Sequence, residues 1–580
     1  MSRYAHQLLT GTLLAAAMCG TMPAWAQDNP VLRRFGAGLG LDAVGMVDAS
    51  EDVEVAGPQA IYAGEGNELY LLDQVNGRVL SFDPSQSNAP TRSFKLPSDL
   101  QPTDLIVRRG QILVWDGDVH VLRPTGPDNA PTRGLEITST RGVDDPFAVS
   151  EFAQMGSQKP GSDTDLLNGN TRGLSQPRPP NRQYVTSRVR GPLVATVTPD
   201  ADKAGAHIEV QAQGQSAPIA RLHMKVRDRL GATEVLEVDR QGRIFVLGEN
   251  IPAIGGEGAS AFVARYSQSG ALEGIYDLPL SQSVALSRRF VTVSENGDVY
   301  FLRTQKASVD VLGVGFRPLR AKVIDVGRHA PSYDLAQGKK KGKGPIVAVG
   351  PLTRQRVIET AFAFEGIRWR VNAGAYGRDP DTTCTGFNRV RRPGYLHGKL
   401  NQEVRGMPYC WGCHGSLQQI AQKIERGTLA GNWCTHNAPR NDVAGVDCSA
   451  FVSATWGLAT HFTTAAIPAI TRRLENPWDL QPGDALNKPG SHVMLFLRFT
   501  ADRKAEVIEA STGGCNGRVC RNVYPLASLL ARGYAPVRYR ALINEAVANV
   551  SFPDQQQQHK QRQQQHKKQT KSASGKRGTR

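Results

Sequence analysis

The 580-residue chain lacks the sequence features typical of proteins with membrane-spanning helices and of nucleic-acid-binding proteins. Beyond residues 1–26, no run approaches the roughly 18 consecutive apolar residues that a membrane-spanning helix needs. The formal net charge is +16, yet no basic helix and no basic patch interleaved with aromatic residues accompanies it. A tail over 553–580 carries +7 of this charge, and four lysines within 337–345 carry +4. Because the charge lies mainly in connecting segments, nucleic-acid recognition is not expected.

Apolar residues make up 40% of the chain, which is enough for packed cores and excludes a wholly disordered or fibrous protein. The length predicts two or more domains. Residues 1–26 combine Arg3, a short apolar run and Ala24-Trp25-Ala26, a pattern typical of a cleavable signal peptide. A buried N-terminal helix and lipidation at Cys19 are the alternatives. We therefore expect an exported protein, either periplasmic or secreted.

The Gln-rich basic tail over 553–580 has little to bury and is predicted to be disordered. Its positive charge suggests at most peripheral contact with an anionic wall polymer or a membrane surface. The alternative is that the tail only aids solubility.

Residues 27–336 show short β-type runs separated by turn residues. The clearest copies are at 69–83, 111–122, 238–247 and 291–302. Asn-Gly and Asp-Gly pairs between the runs favour tight hairpins. The repeated pattern resembles the blades of NHL-like propellers, which implies an all-β, propeller-like domain that could bind a protein or glycan ligand. A β-sandwich or two small β domains is the alternative.

Two low-complexity segments divide the chain further. Residues 154–181 are rich in Gly, Ser, Asn and Pro and are predicted to be a flexible insertion between blades. Residues 337–345 are rich in Lys and Gly and are predicted to be a linker to a second domain over 346–545.

Three short motifs occur in order within this second domain. They are GMPYCWG at 406–412, GVDCSAFV at 445–452, and LQPGD at 480–484 followed by SHVMLFL at 491–497. Cys448 lies where a turn is predicted to enter a helix, a position that favours a thiolate. His492 begins a predicted buried strand and could act as general acid and base, with Glu509 on the next predicted strand orienting its ring. The alternative is that Cys448 and His492 only pack in the core, or that Cys448 forms a disulfide.

Together the three motifs resemble those of NlpC-type peptidases, which are papain-like cysteine peptidases that act on bacterial cell-wall peptides. The resemblance covers about 350–540 and implies an α+β papain-like fold, with Cys448 as nucleophile and His492 as base. It places Tyr409 near the nucleophile, where Asp447 and Ser449 would also help to hold substrate or oxyanion. The implied reaction is hydrolysis of an amide bond in peptidoglycan peptides through an acyl-enzyme, with no cofactor and no metal.

Some positions depart from the family pattern. Ala450 stands where the family has Gly, Cys413 stands at its second Gly, and the family's third polar residue is usually His, Asn or Gln rather than Glu509. These departures leave a second hypothesis from another class, an inactive binding or scaffold protein.

Seven cysteines follow the predicted signal peptide, and setting Cys448 aside leaves six for disulfides in an oxidising compartment. The candidates are Cys384, Cys410, Cys413, Cys434, Cys515 and Cys520. Cys515 and Cys520 are expected to close a local loop, and Cys384 to pair with a cysteine near 410–434. Residues 410–414 (CWGCH) also match the attachment motif of c-type haem. Zinc held by Cys410, Cys413, Cys434 and His436 is a further alternative.

Overall fold

The computed structural model describes residues 29–47, 54–86, 91–98, 100–108, 110–116, 119–140, 182–253, 258–320, 322–326, 352–377, 392–431, 443–458, 460–543 and 552. The predicted signal peptide, the 154–181 insertion, the 337–345 linker and the 553–580 tail lie outside these ranges. None of the helices in these ranges combines the length and the apolar composition of a membrane-spanning helix.

The described part of the N-terminal half consists of five four-stranded antiparallel units, called the first to fifth sheets below. The first two are joined into one eight-stranded sheet, because Arg92–Lys95 pairs in parallel with Thr132–Thr140. The first sheet contains Ala60–Ala63, Leu69–Asp73, Arg78–Phe82 and Arg92–Lys95, and the second contains Asp104–Arg108, Gln111–Trp115, Val119–Thr125 and Thr132–Thr140. The third sheet contains Arg182–Ser187, Gly191–Pro199, Gly205–Ala212 and Pro218–Lys225, and the fourth contains Arg229–Val238, Ile244–Ile251, Ser260–Tyr266 and Leu272–Leu278. The fifth sheet contains Val291–Val293, Val299–Thr304, Ser308–Gly313 and the N-terminal strand Val31–Ala37. Two short strands extend them: Phe316–Pro318 on the fourth sheet and Ala43–Val44 on the fifth.

The sheets follow one another as the blades of a propeller do. Ala60–Ala63 of the first sheet lies against both Asp104–Arg108 of the second and Val291–Val293 of the fifth. The fifth sheet is completed by the N-terminal strand Val31–Ala37, which pairs antiparallel with Ser308–Gly313. The four-stranded sheets follow one another along the chain, and the fifth sheet contains strands from both ends of the N-terminal half. This closure is typical of a β-propeller rather than of a two-layer sandwich. The prediction of an all-β, propeller-like N-terminal half is confirmed.

The predicted hairpin turns have the backbone that their residues favour. Gly77 joins Leu69–Asp73 to Arg78–Phe82 with φ of +65°, and Gly297 lies at φ of +88° before Val299–Thr304. Glycine adopts these angles without steric cost, which explains the Asn-Gly pairs at both turns.

The described C-terminal part is mostly β, with few helices. Its antiparallel sheet has the strand order Thr471–Arg473, Ala535–Tyr539, Ala485–Lys488, His492–Phe499, Ala505–Ser511 and Arg518–Tyr524. The α-helices are Arg354–Gly366, Ala373–Tyr376, Leu417–Glu425, Cys448–Thr455 and Leu526–Ala531. Arg368–Arg370 pairs with Glu403–Arg405, and Leu429–Ala430 with Val443–Ala444. Short 3-10 turns occur at Glu65–Asn67, Leu280–Gln282, Gly394–Leu396, Ile467–Ala469 and Pro477–Asp479.

This C-terminal sheet is buried on both faces, which explains its nearly continuous apolar runs. Along His492–Phe499, Val493 and Leu495 belong to the core that contains the Cys448–Thr455 helix. Met494 and Phe496 point the other way and share a core with the fourth and fifth sheets. The two halves of the protein therefore have one apolar core in common.

A polar contact supports this shared core. The buried Glu249 of the fourth sheet accepts a hydrogen bond of 2.9 Å from the backbone N–H of Ala527, at the start of the Leu526–Ala531 helix, and another from Ala232. Burial raises the pKa of Glu249 to about 7, although these backbone donors oppose the shift.

Candidate active site

The first motif lies directly beside the residues that lead to Cys448. Tyr409 forms a parallel bridge with Val446, the Cys410 N–H donates to the Val446 carbonyl at 3.1 Å, and the Val446 N–H donates to Pro408 at 3.0 Å. A Cβ at Gly445 would lie 2.6 Å from the Cys410 Cβ, so glycine permits this close approach. The structure thus brings the first two motifs together and buries Tyr409 there.

Asp447 determines where the Cys448–Thr455 helix begins. Its side chain accepts a hydrogen bond of 2.7 Å from the Ala450 N–H, which is a standard N-cap, and its second oxygen accepts from the Gly412 N–H at 3.0 Å. The cap therefore also ties the first motif to the start of the helix. Contact of Asp447 with substrate or oxyanion stays a prediction.

Ser449 is engaged in the same local network. Its hydroxyl donates to Asp447 at 2.9 Å and lies 2.7 Å from Nε2 of His461, a residue that the sequence analysis did not single out. Both Ser449 and Asp447 thus contribute to the beginning of the helix, and a substrate role for Ser449 also stays a prediction.

Cys448 occupies the first position of this helix, and its side chain is buried, with 0% of the residue exposed. Among the described cysteines it is the one that is not disulfide-bonded. The helix packs against His492–Phe499 and Ala505–Ser511, the two strands that carry the predicted base and its predicted orienting group.

His492 and Glu509 form a buried pair. The His492 Nε2 atom lies 2.6 Å from Oε2 of Glu509. The other carboxylate oxygen accepts hydrogen bonds of 2.8 Å from the Asn522 amide and from the Tyr524 hydroxyl. Burial by itself would raise the pKa of Glu509, but the hydrogen bond and charge of His492, together with Asn522 and Tyr524, hold it below its ordinary value. Glu509 is therefore an ionised, fully hydrogen-bonded partner of the imidazole.

Glu54 brings a second carboxyl group to this pair from the N-terminal half of the chain. Its oxygens lie 3.3 Å from the Tyr534 hydroxyl and 3.4 Å from the Ser511 hydroxyl. Burial raises the pKa of Glu54; the positive charges of His492 and Lys488 oppose this shift, and the Glu509 carboxylate adds to it. Ligand atoms of Glu54, His492 and Glu509 all lie within 4.8 Å of one another, so this group also has the spacing of a cation site.

Tyr534 links the groups of the site. Its ring lies edge-on to that of His492, with centroids 6.3 Å apart. Burial raises the pKa of Tyr534 well above its ordinary value, and the negative charges of Glu54, Glu509 and Cys448 add to the shift. Tyr534 is therefore a neutral hydrogen-bond donor within electrostatic range of both Cys448 and Glu509.

The Pro-Gly-Asp segment of the third motif forms a turn that is held by contacts with two helices and the sheet. Asp484 is fully buried between two guanidinium groups, 3.0 Å from Arg354 and 2.7 Å from Arg538. The Trp456 indole, at the end of the Cys448–Thr455 helix, donates to the Gly483 carbonyl at 3.0 Å. This turn connects the first C-terminal helix, the Cys448–Thr455 helix and the sheet.

Among the described residues, two disulfides join near neighbours in the chain. Cys515 pairs with Cys520, which confirms that prediction, and Cys410 pairs with Cys413. A disulfide between Cys410 and Cys413 leaves neither sulfur for a thioether bond to haem or a thiolate bond to zinc, so the haem alternative loses both thioether bonds and the zinc alternative loses two of its four ligands. The remaining candidates, Cys384 and Cys434, lie outside the described residues, as does His436.

Several residues of the site were missed by the sequence analysis. Asn522 and Tyr524 alternate along one strand next to Glu509, a pattern that the sequence does contain. Tyr534 and Glu54 gave no such signal, because they reach the site only through the packing of distant segments.

No family model matches the chain, and no curated protein matches it. Similar solved structures include a streptogramin B lyase, 12% identical over 47% of this chain and 98% of its own, with a TM-score of 0.20. Virginiamycin B lyase from Staphylococcus aureus is 7% identical over 46% of this chain and 98% of its own, with a TM-score of 0.23. The PQQ-bound aldose sugar dehydrogenase from Streptomyces coelicolor is 9% identical over 50% and 100%, with a TM-score of 0.20. Sequence identities and TM-scores as low as these do not support any inference about activity or ligand. None of the comparisons supports a peptidase assignment.

Proposed function

We propose that this protein is an exported, NlpC-type thiol hydrolase that cleaves an amide bond, and that its substrate is a peptide of peptidoglycan. Cys448 is the nucleophile, His492 the general acid and base, and Glu509 the residue that orients and charges the imidazole. The observation that carries the proposal is the buried 2.6 Å contact between His492 and Glu509, on strands against which the Cys448 helix packs.

The chemistry follows from this arrangement. A carboxylate at Nε2 holds the ring in one orientation and favours its protonated form, leaving Nδ1 to exchange a proton with the Cys448 sulfur. The thiolate attacks the substrate carbonyl, and backbone N–H groups at the start of the helix stabilise the oxyanion. His492 then protonates the leaving amine, an acyl-enzyme forms, and His492 deprotonates the water that releases the acid.

The burial of Cys448 has a consequence for catalysis. With none of the residue exposed, substrate reaches the sulfur only after local opening. Glu54 and Tyr534 lie against the His492–Glu509 pair, so the N-terminal half takes part in forming the site. We propose that the propeller-like half also presents substrate or docks a partner, an idea that rests on fold analogy alone.

Incubation of the full-length protein with purified peptidoglycan, followed by mass analysis of soluble fragments, tests the proposal. We expect new amine and carboxyl termini from the wild type and none from Cys448→Ser. Glu359→Gln, on an exposed face of the Arg354–Gly366 helix, is the control and should retain full activity. Binding of peptidoglycan without release of fragments by the wild type would instead support the scaffold hypothesis.

A further inference from the structure

A second cluster of titratable side chains lies on the third sheet, away from the candidate active site. His207 and His223 are directly opposite each other on the paired strands Gly205–Ala212 and Pro218–Lys225. Their rings are stacked, with centroids 4.4 Å apart and planes inclined by 24°. Asp200 completes the cluster, with its carboxylate 2.8 Å from Nε2 of His223 and 3.7 Å from Nε2 of His207.

The turn before the first of these strands fixes the position of the carboxylate. The Asp200 N–H donates to the Gly205 carbonyl at 2.9 Å, and the Lys203 N–H donates to the Asp200 carbonyl at 3.0 Å. A Cβ at residue 205 would collide with Oδ2 of Asp200. Glycine at this position therefore allows the carboxylate to lie over the strand, beside the two imidazoles.

The cations near Asp200 make their hydrogen bonds to other groups, and Arg503 donates to the carbonyls of Lys203 and Leu230. The neighbouring Asp202 is paired with Lys225 at 2.9 Å, so the lysine charge is directed to Asp202. The side chains of His207 and His223 are 71% and 43% exposed, whereas that of Asp200 is 16% exposed. Water can therefore approach the cluster from the outer side of the sheet.

Two imidazoles and one carboxylate are a donor set that suits Zn²⁺ and related first-row divalent ions, and not Mg²⁺ or Ca²⁺, which prefer oxygen ligands. The three ligand atoms lie within 4.8 Å of one another. Around a tetrahedral Zn²⁺ with bonds of about 2.1 Å they would be about 3.4 Å apart. Small rotations of the two exposed imidazoles would bring them to this spacing, with water completing the coordination.

We propose that Asp200, His207 and His223 form a Zn²⁺ site that ties together two strands and a turn of the third sheet. The proposal does not depend on the hydrolase activity. The competing explanation is a simple ion pair, in which protonated imidazole holds Asp200 and no metal binds.

Titration of the full-length protein with Co²⁺, followed by displacement with Zn²⁺, tests the site through the visible absorption of the bound cobalt. His207→Ala, His223→Ala and Asp200→Asn each remove one ligand. His120→Ala is the matched control, because His120 pairs with the single carboxylate of Asp116 at 2.9 Å on the second sheet.

A second control, His492→Ala, removes any metal bound at the candidate active site. We expect the wild type and both controls to bind one Co²⁺ that Zn²⁺ displaces. Each ligand variant should bind at least about tenfold more weakly. Zn²⁺ should also raise the thermal midpoint of the wild type and of His120→Ala, but not that of His207→Ala. Unchanged Co²⁺ affinity in both His207→Ala and His223→Ala, or no Zn²⁺-displaceable cobalt in the wild type, would overturn the proposal.

Discussion

Replacement of Glu509 by glutamine isolates the role of its charge. Glutamine has nearly the same shape, and its oxygen can still accept the hydrogen bonds from Asn522 and Tyr524. What it cannot supply is the negative charge 2.6 Å from Nε2 of His492. If the glutamine oxygen accepts the hydrogen bonds from Asn522 and Tyr524, the amide N–H faces Nε2 of His492. The imidazole then favours the tautomer with its proton on Nδ1, the atom that would exchange a proton with Cys448.

The size of the effect follows from this single contact. A hydrogen bond to a charged partner contributes about 1.5–3 kcal/mol. Because each 1.4 kcal/mol corresponds to a factor of ten in rate, kcat should fall by about ten- to a hundredfold. Loss of the carboxylate also makes the imidazolium less favourable, so the alkaline limb of the pH–rate profile should move to lower pH.

The assay is release of peptide fragments from peptidoglycan by Glu509→Gln, with Glu359→Gln as the isosteric control on an exposed helix. Thermal midpoints of both variants close to that of the wild type would show that the loss is not caused by unfolding. Wild-type kcat and an unshifted pH profile in Glu509→Gln would refute the reasoning, because the 2.6 Å contact would then be structural only.

Three other outcomes can be measured on the same protein. Tyr524→Phe removes one donor to Glu509 but leaves its charge and its contact with His492 in place, so only part of the roughly 1.5–3 kcal/mol of that bond should reach the barrier and kcat should fall by less than about tenfold; a loss as large as that of Glu509→Gln would contradict this. Asp484→Ala leaves Arg354 buried without its carboxylate, and urea unfolding should show a loss of about 3–5 kcal/mol, whereas a loss below about 1 kcal/mol would contradict the account. The pKa of Glu249 is raised from 4.5 to about 7, so the folded state retains a proton that the unfolded state releases. The contribution of Glu249 to stability should therefore decrease by roughly 3 kcal/mol as the pH rises from about 4.5 to about 7. Glu249→Gln should remove this slope, and an unchanged slope in urea unfolding would refute it.

The local elements could be predicted because their signals are local. The apolar runs and Gly-containing turns of the N-terminal half lie where the strands and hairpins occur. The Cys448–Thr455 helix begins at the expected cysteine, and His492–Phe499 begins at the expected histidine. Asp447 also carries a local signal, since Asp before a helix is a common N-cap, whereas the family resemblance implies a substrate-binding role for it.

The partners within the site were only partly predictable. Glu509 could be chosen because its strand follows that of His492 and alternation sets its face. Glu54 could not, because it contacts Ser511 and Tyr534 across more than 450 residues of chain. A carboxyl group in a short polar segment looks like any solvated surface residue until packing buries it.

The sequence by itself determined the strands within 69–83, 111–122, 238–247 and 291–302 and the turns at Gly77 and Gly297. It also determined the N-terminal position of Cys448 in its helix and the position of His492 at the start of a strand, since these follow from neighbouring residues. Only the tertiary structure decided that Glu54 joins His492 and Glu509, that Cys448 is buried, and that Met494 and Phe496 share a core with the fourth and fifth sheets. Burial and long-range contacts depend on which distant surfaces pack together and exclude water, and residues that are neighbours in the sequence do not determine this.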